Sequence, residues 1–512
     1  MRKNKILFLS LLFFSLWGIQ NACFTQVITK GPYIAEPGRN SVTIRWESDI
    51  NSPALVLFDK TSVLRKKSPA KIIGRQNKFY LYEAKLTGLY QDTKYFYTVK
   101  CGKTKSAVTY FKTMPSVTTP FSFIAMGDSR SNRDVFEKII AQSIKLNPDL
   151  VISMGDLVAQ GGSFDQWNSH FFKVAQKLIN HVLFISTLGD HEGDGDNGNL
   201  FRYYFLPRMN TDSLWFSFDF GNAHFVSLDY RHPYEKKMIE WFKKDMEQTD
   251  AKWKFVFMHR PCYNLGGHRS TWGRDVWPAL FTKYKIDIVF AGHSHQYERF
   301  FPVKPDNQPD SWPVTYITTG GAGAGLYEAD TSDFLAKVES VHHLININIS
   351  GDTLSLKTIS ESGFLIDKLS IIKKNGRYND EYYSAVRSQE KLNVYTMFLK
   401  AISFSIDKIP LEEIPATSKI ILKSDKFPDD IKFKIFLWHQ SEINYIMEPV
   451  EGIIHKNEKL EISVNIFSKG KMTISNWGSI KPDLRLGAVF EISGIKYEIT
   501  GGRIEYWPEE SY

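Results

Sequence analysis

The sequence predicts a multidomain chain built of a β-sandwich, a central α/β domain and a mostly β C-terminal region. Three observations carry that reading. At 512 residues the chain is longer than one ordinary domain, because single hydrophobic cores stop growing well below that size. Short runs alternating apolar and polar residues fill the stretch from Gly31 to Met114, the two-residue period of half-buried strands. Near residue 118 the pattern changes to strongly apolar runs separated by helical stretches, and from Lys419 to Trp507 the alternation returns.

Within the first region, Val42-Thr43-Ile44-Arg45-Trp46 and Tyr95-Phe96-Tyr97-Thr98-Val99 read as strands. Leu86-Thr87-Gly88-Leu89 followed by Thr93-Lys94-Tyr95 resembles the tyrosine-corner region of fibronectin type III domains. Pro115 to Pro120 reads as the linker, after which Val135, Ile139, Ile140 and Ile144 mark one face of a helix. Beyond Ser370 the helix–strand rhythm fades, Lys373-Lys374-Asn375-Gly376 opens a turn-rich stretch, and Phe433–Leu437 and Leu460–Val464 read as strands of a second sandwich. The resulting division is 1–25, a leader; 28–115, the sandwich; 119–372, the α/β domain; and 374–512, a β-rich accessory domain.

Composition narrows the class. With 43% hydrophobic and 23% charged residues the chain is globular, and its net charge of +8 is spread along the sequence; no basic block points to a nucleic-acid partner. Arg2, Lys3 and Lys5 precede an almost wholly apolar run from Ile6 to Gly18, the layout of a secretory signal peptide. That run is short against the roughly 20 residues that span a bilayer. The mature chain is therefore expected to be exported (periplasmic, secreted or at the cell surface) and to lack a transmembrane helix. Cys23 is a candidate for lipidation, although Gln20 stands where an apolar residue is favoured. Only Cys101 and Cys262 remain in the body of the chain, too few for a disulfide framework.

Five apolar runs of the central region end in residues that bind metals: Phe121–Met126 before Gly127-Asp128, Leu150–Met154 before Gly155-Asp156, Val182–Leu188 before Gly189-Asp190, Phe255–Met258 before His259, and Ile286–Ala291 before Gly292-His293. Continuous apolar runs are buried strands, and ligands of α/β sheets gather at the strands' carboxyl ends, so the five sites are expected to converge. A glycine precedes four of the five ligands, letting the backbone turn and approach closely. Carboxylates and imidazoles together suit Mn, Fe, Zn or Ni, and a shared carboxylate allows two ions side by side.

The order Gly-Asp-Ser-Arg (127–130), Gly-Asp-Leu-Val (155–158), Gly-Asp-His-Glu (189–192), Val-Phe-Met-His (256–259) and Gly-His-Ser-His-Gln-Tyr-Glu-Arg (292–299) resembles the calcineurin-like metallophosphoesterases. The purple acid phosphatase branch, which also has an N-terminal fibronectin-like domain, is the nearest match. The resemblance spans about residues 28 to 372 and implies a four-layer αββα central fold with two transition metal ions. It assigns Asp128 and His295 to one metal, Asp156 to the bridge, and Asp190, His259 and His293 to the second. It makes His191 the group facing the substrate, as phosphate stabiliser or general acid. His268, in the Gly-Gly-His loop after Pro261, is a further candidate for substrate contact.

Three positions depart from the family. Where purple acid phosphatases place a Tyr ligand, three residues after the bridging Asp, this chain has Ala159, and where generic relatives place a His ligand it has Arg130. The first metal is expected to be the weaker. Asp190 stands where the family has Asn, adding a negative charge. Arg130 is expected to bind phosphate or to pair with Asp190, a solvent-facing side chain being the plain alternative.

The resemblance implies a phosphomonoesterase of the acid phosphatase kind, acting on phosphorylated small molecules or other phosphoesters. The alternatives are a phosphodiesterase or nucleotidase, and an exported binding protein on a scaffold that no longer turns over. The run Gly320-Gly321-Ala322-Gly323-Ala324-Gly325 lacks the ending of a nucleotide-binding loop and is expected to pack near the site. Trp438, Trp477 and Trp507 read as core residues of the last region before they read as a sugar platform.

Overall fold

The computed structural model describes residues 28–205, 213–308, 310–405, 416–425, 427–439, 443–448, 450–468, 473–474, 480–481 and 484–503. The leader with Cys23, together with Trp477, Trp507 and the side chain of Trp438, lies outside the described residues.

The alternating N-terminal segments form two antiparallel sheets. One joins Ile28–Pro37, Ser41–Ser48, Phe79–Thr87 and Lys71–Gln76; the other is built around Ala54–Asp59 and Lys94–Cys101. Their inward residues bury Trp46 against Tyr82 and Tyr95 against Phe111. The Tyr95 hydroxyl accepts the Tyr90 N–H at 2.9 Å, the corner expected from the sequence.

Two seven-stranded sheets make the middle of the central domain. The first runs in the order Leu183–Ser186, Leu150–Ser153, Phe121–Met126, then His343–Ser350 and its antiparallel continuation to Arg377–Tyr378. The second runs Phe216–Phe220, Ala223–Ser227, Trp253–Met258, Ile288–Ala291, Thr315–Thr319, Tyr297–Phe300 and Leu335–Glu339. They pack face to face: Phe123 of the first meets Phe225 and Phe255 of the second, each with ring centroids 5.2 Å apart. Helix Arg133–Leu146 buries Phe136, Ile139 and Ile140, and is capped at its start by Asn132. Helices Lys236–Gln248 and Trp277–Lys283 pair through Phe242 and Trp277. Helices outside and sheets inside give the four-layer αββα arrangement.

Past the central sheets, helix Gln389–Ala401 joins the loop that carries Tyr263 and Arg274 to the C-terminal region. Asn393 accepts the Tyr263 hydroxyl at 2.8 Å, Thr396 receives Arg274, and Phe398 stacks on Phe490 with centroids 4.4 Å apart. Two four-stranded antiparallel sheets follow, so this region is β-rich.

Candidate metal centre

Strand register explains why the ligands meet. In the first sheet Met126 pairs with Ser153 and Ser153 with Ser186, all parallel; in the second Met258 pairs with Ala291, also parallel. Five strands thus end level, three in one sheet and two in the other, and the loops carrying Asp128, Asp156, Asp190, His259 and His293 leave from one edge. Ligands at the carboxyl ends of parallel strands are what this layered architecture favours.

The turns are tight. Asp128, Asp156 and His293 have φ of 61°, 56° and 68°, a left-handed conformation that costs a non-glycine residue free energy and clusters at functional sites. Two glycines make room. A Cβ on Gly189 would lie 2.2 Å from the Asp156 nitrogen, and one on Gly292 would lie 2.4 Å from Asp128 Oδ2. The glycine-rich run packs here as well, with the Ala322 N–H donating to the Gly127 carbonyl and the Ala324 N–H to the Asp128 carbonyl.

Three side chains, Asp190, His259 and His293, bring ligand atoms within 4.8 Å of one another, and so do Asp128, Asp156 and His259. His293 Nδ1 is 2.9 Å from Asp190 Oδ2, and His295 Nε2 is 3.5 Å from Asp128 Oδ1. Hydrogen bonds behind the rings set their tautomers: His259 Nδ1 donates to the Met154 carbonyl at 2.8 Å, and His295 Nδ1 to the Gly325 carbonyl at 2.7 Å. Each therefore turns an Nε2 lone pair inward, the arrangement that orients metal-binding imidazoles. His259 Nε2 is buried with no hydrogen-bond partner, 3.6 Å from both Asp156 Oδ1 and Asp190 Oδ2. A buried nitrogen left unpaired beside two carboxylates fits a cation.

The electrostatics agree. Burial opposes it, but the Asp156 and Asp190 carboxylates raise the His259 imidazole well above its ordinary value. Burial likewise works to raise Asp190, yet His259 and His293 hold its carboxyl far below the usual range. The cluster is short of positive charge.

Two arginines supply part of it. Arg130 Nε donates to Asp156 Oδ2 at 3.1 Å, so Arg130 pairs with Asp156 and not with Asp190 or solvent. Asp190 instead takes Arg260, whose Nε and Nη2 reach its two oxygens at 2.9 to 3.2 Å. Arg260 was not singled out from the sequence, although its place directly after His259 was the available signal.

Glu192 was also missed. Its buried carboxylate accepts the N–H groups of Asp156, Leu157, Val158 and Gly189 at 2.8, 2.6, 3.1 and 2.9 Å, tying two ligand loops together. Burial, then the Asp156 charge, pushes Glu192 up to about 8, against the pull of those donors. His191 lies at the rim, its Nδ1 2.8 Å from the Ala159 carbonyl and its Nε2 3.8 Å from Asp156 Oδ2. The His268 ring stacks on His293 with centroids 4.2 Å apart, and burial followed by the charge of His293 lowers it to about 4. Every residue expected at the site is thus gathered in one place.

Residues 121–297 match the calcineurin-like phosphoesterase family, and residues 31–113 match the purple acid phosphatase N-terminal domain. The chain carries a calcineurin-like phosphoesterase domain behind a purple acid phosphatase N-terminal domain. Its similar relatives are purple acid phosphatases. Purple acid phosphatase 21 of Arabidopsis thaliana is 28% identical over 57% of this chain and 70% of that protein. Phosphoenolpyruvate phosphatase of Allium cepa is 28% identical over 48% of this chain and 57% of that protein. Probable inactive purple acid phosphatase 1 of Arabidopsis thaliana is 24% identical over 51% of this chain and 52% of that protein. The chain thus spans little more than half the length of two of these three relatives. Among solved structures, purple acid phosphatase PPD1 from yellow lupin (Lupinus luteus) seeds superposes with a TM-score of 0.59 at 18% identity, over 67% of this chain and 74% of that one. PhoD superposes with a TM-score of 0.51 at 13% identity, over 72% of this chain and 97% of that one. These likenesses establish the fold of the phosphoesterase domain and its N-terminal partner.

Proposed function

We propose that this chain is an exported, metal-dependent phosphomonoesterase. The observation that supports it most is the buried, unpartnered Nε2 of His259 between Asp156 and Asp190. Asp128 and His295 would hold one ion, Asp190, His259 and His293 the other, and Asp156 would serve both. Fe, Mn or Zn suits this mixture of carboxylate and imidazole, and one relative is the Fe(3+)-Zn(2+) purple acid phosphatase 12 of Arabidopsis thaliana, 25% identical. When bound, such a pair of ions supplies a deprotonated water and neutralises phosphate oxygens. The first ion would be the more weakly held, since Ala159 and Arg130 offer it no ligand.

The chain's own groups do the rest. With Nδ1 committed to the Ala159 carbonyl, His191 as an imidazolium presents Nε2–H to the leaving oxygen. Arg130 and Arg260 keep N–H groups beyond their carboxylate partners and bind the phosphate oxygens, favouring the two charges of a monoester over the one of a diester. His268 forms the outer wall beside His293 and touches the ester group. The basic start and apolar run of residues 1–25, the layout of a signal peptide, support export, and no helix among the described residues is long and apolar enough to cross a membrane.

A second reading is an exported binding protein on a phosphatase scaffold, favoured by the missing ligands at Ala159 and Arg130. Metal content and turnover separate the two. The purified chain is expected to hold at least one equivalent of transition metal and to hydrolyse 4-nitrophenyl phosphate faster than bis(4-nitrophenyl) phosphate. Less than one equivalent, with no turnover after adding Mn, Fe or Zn, would leave only the binding protein.

A further inference from the structure

The loops that hold His191 are anchored in the N-terminal sandwich as well as in their own domain. Besides the bond from its ring to Ala159, the His191 carbonyl accepts the Gly161 N–H at 2.7 Å. A Cβ on Gly161 would lie 2.5 Å from Glu192 Cα, so the segment after Asp156 presses directly on the segment carrying His191. Trp167 Nε1 then donates to the Gly161 carbonyl at 2.8 Å.

Two arms run from here to the sandwich. Phe164 stacks on Phe79 with centroids 4.9 Å apart, under the Lys30 ammonium at 3.6 Å. On the other side of His191, helix Asn199–Phe205 starts on the side-chain cap of Asp196 and carries Tyr204 in its last turn. The Tyr204 hydroxyl donates to Glu47 Oε2 at 3.1 Å, while its carbonyl accepts the Tyr33 hydroxyl at 2.9 Å and Arg45 Nη1 at 3.4 Å. Trp167 packs on Tyr204 with centroids 5.5 Å apart, so the arms touch.

Lys30, Arg45, Glu47 and Glu83 are all buried at this junction, paired as Lys30–Glu47 at 2.5 Å and Arg45–Glu83 at 3.1 Å. Buried ion pairs stabilise little compared with apolar packing, and their attested use is to fix one arrangement. An apolar junction would hold two domains together while letting them slide. This one holds a single register, and that register sets where Phe164 and Tyr204 stand.

We propose that the N-terminal sandwich is a positioning domain for His191, and that Tyr33, Lys30, Arg45 and Glu47 are positioning residues acting through Tyr204 and Phe164. The proposal rests on the reading of His191 as the group serving the leaving oxygen. A misplaced proton donor slows esters whose leaving group needs the proton and spares those that do not.

The test uses the metal-loaded full chain and the double variant Tyr33→Phe/Tyr204→Phe, which removes two hydroxyls and no volume to speak of. For phenyl phosphate, a poor leaving group, kcat is expected to fall about tenfold with little change in KM. For 4-nitrophenyl phosphate kcat is expected to change by less than about twofold, the same bias expected of His191→Asn. Hydrogen exchange in peptides covering 159–167 and 189–199 is expected to quicken, while 286–291 stays as it was. Equal losses with both esters, or no change in rate and exchange, overturn the proposal. If the unaltered chain hydrolyses neither ester, the phosphatase reading fails separately, and exchange decides alone: faster exchange confined to the two loops upholds the brace, and unchanged exchange removes it.

Discussion

Arg130 Nε lies 3.1 Å from Asp156 Oδ2, so a guanidinium rests on the carboxylate that also faces His191 and His259. Arginine stays charged at every working pH and offers five donors, of which this contact uses one. Nη1 also donates to Ser131 Oγ at 3.1 Å, and the donors left over can take an anionic oxygen. Changing Arg130 to Ala is expected to raise KM for phosphate monoesters about tenfold, and to raise the inhibition constant of inorganic phosphate in step. Steady-state kinetics with both constants checks it. Unchanged constants would mean that the guanidinium serves Asp156 alone.

Asp156 and Asp190 respond differently to loss of charge. Asn at 156 removes the anion between Arg130 and His259, and metal affinity is expected to fall by more than about 100-fold with activity lost. Asn at 190 keeps an oxygen for the metal and releases Arg260, so the fall is expected to be about tenfold. Metal content after dialysis against a graded chelator separates the two. A larger loss for Asp190→Asn than for Asp156→Asn would reverse the assigned roles.

Much of this was legible in the sequence because strand ends announce themselves. Five apolar runs stopping at Asp or His imply that the ligands converge, and the registers Met126–Ser153–Ser186 and Met258–Ala291 bring them level. The partners of the charges were not legible. The contacts of Arg130 and Arg260 depend on loops from different strands, so sequence spacing offered Arg130 a phosphate, Asp190 or solvent, and Asp190 is where Arg260 sits. Glu192 stands in the run Gly-Asp-His-Glu, but its role was not legible: among the described residues its carboxylate bonds to backbone N–H groups, which carry no residue identity. The tie between Tyr204 and Tyr33 spans 171 positions, far beyond any local pattern.

Glu192 is expected to be a stability residue. Its four N–H donors lie in a buried loop junction and make no other hydrogen bond among the described residues. Replacing it with Ala leaves them unsatisfied, at about 1–3 kcal/mol for each group that water does not reach. Glu192→Ala is expected to lower Tm by several degrees in both the metal-loaded and metal-stripped chain. A drop seen only with metal bound would instead place Glu192 in the chemistry of the centre.

His224 offers a pH test away from the centre. On strand Ala223–Ser227 it stands directly opposite Asp219, with Nδ1 2.7 Å from Asp219 Oδ1 and Nε2 2.9 Å from Asp245 Oδ2. Both ring nitrogens thus face carboxylates. Burial lowers its pKa, but the bonds to Asp219 and Asp245 outweigh burial and raise it above the ordinary value. A raised folded-state pKa means that stability is fully present below the unfolded value of about 6.5 and is lost as pH rises through the folded value, where the native state must release a proton it holds tightly. Tm of the unaltered chain minus Tm of a His224→Gln variant is therefore expected to be largest below the unfolded value of about 6.5 and to shrink as pH rises above it. The two carboxylates then face a neutral ring with one proton fewer, while Asp245 also accepts the Ser217 hydroxyl at 2.7 Å. A difference that grew with pH would show that His224 is neutral in the folded chain, and that burial rather than its two partners decides its charge.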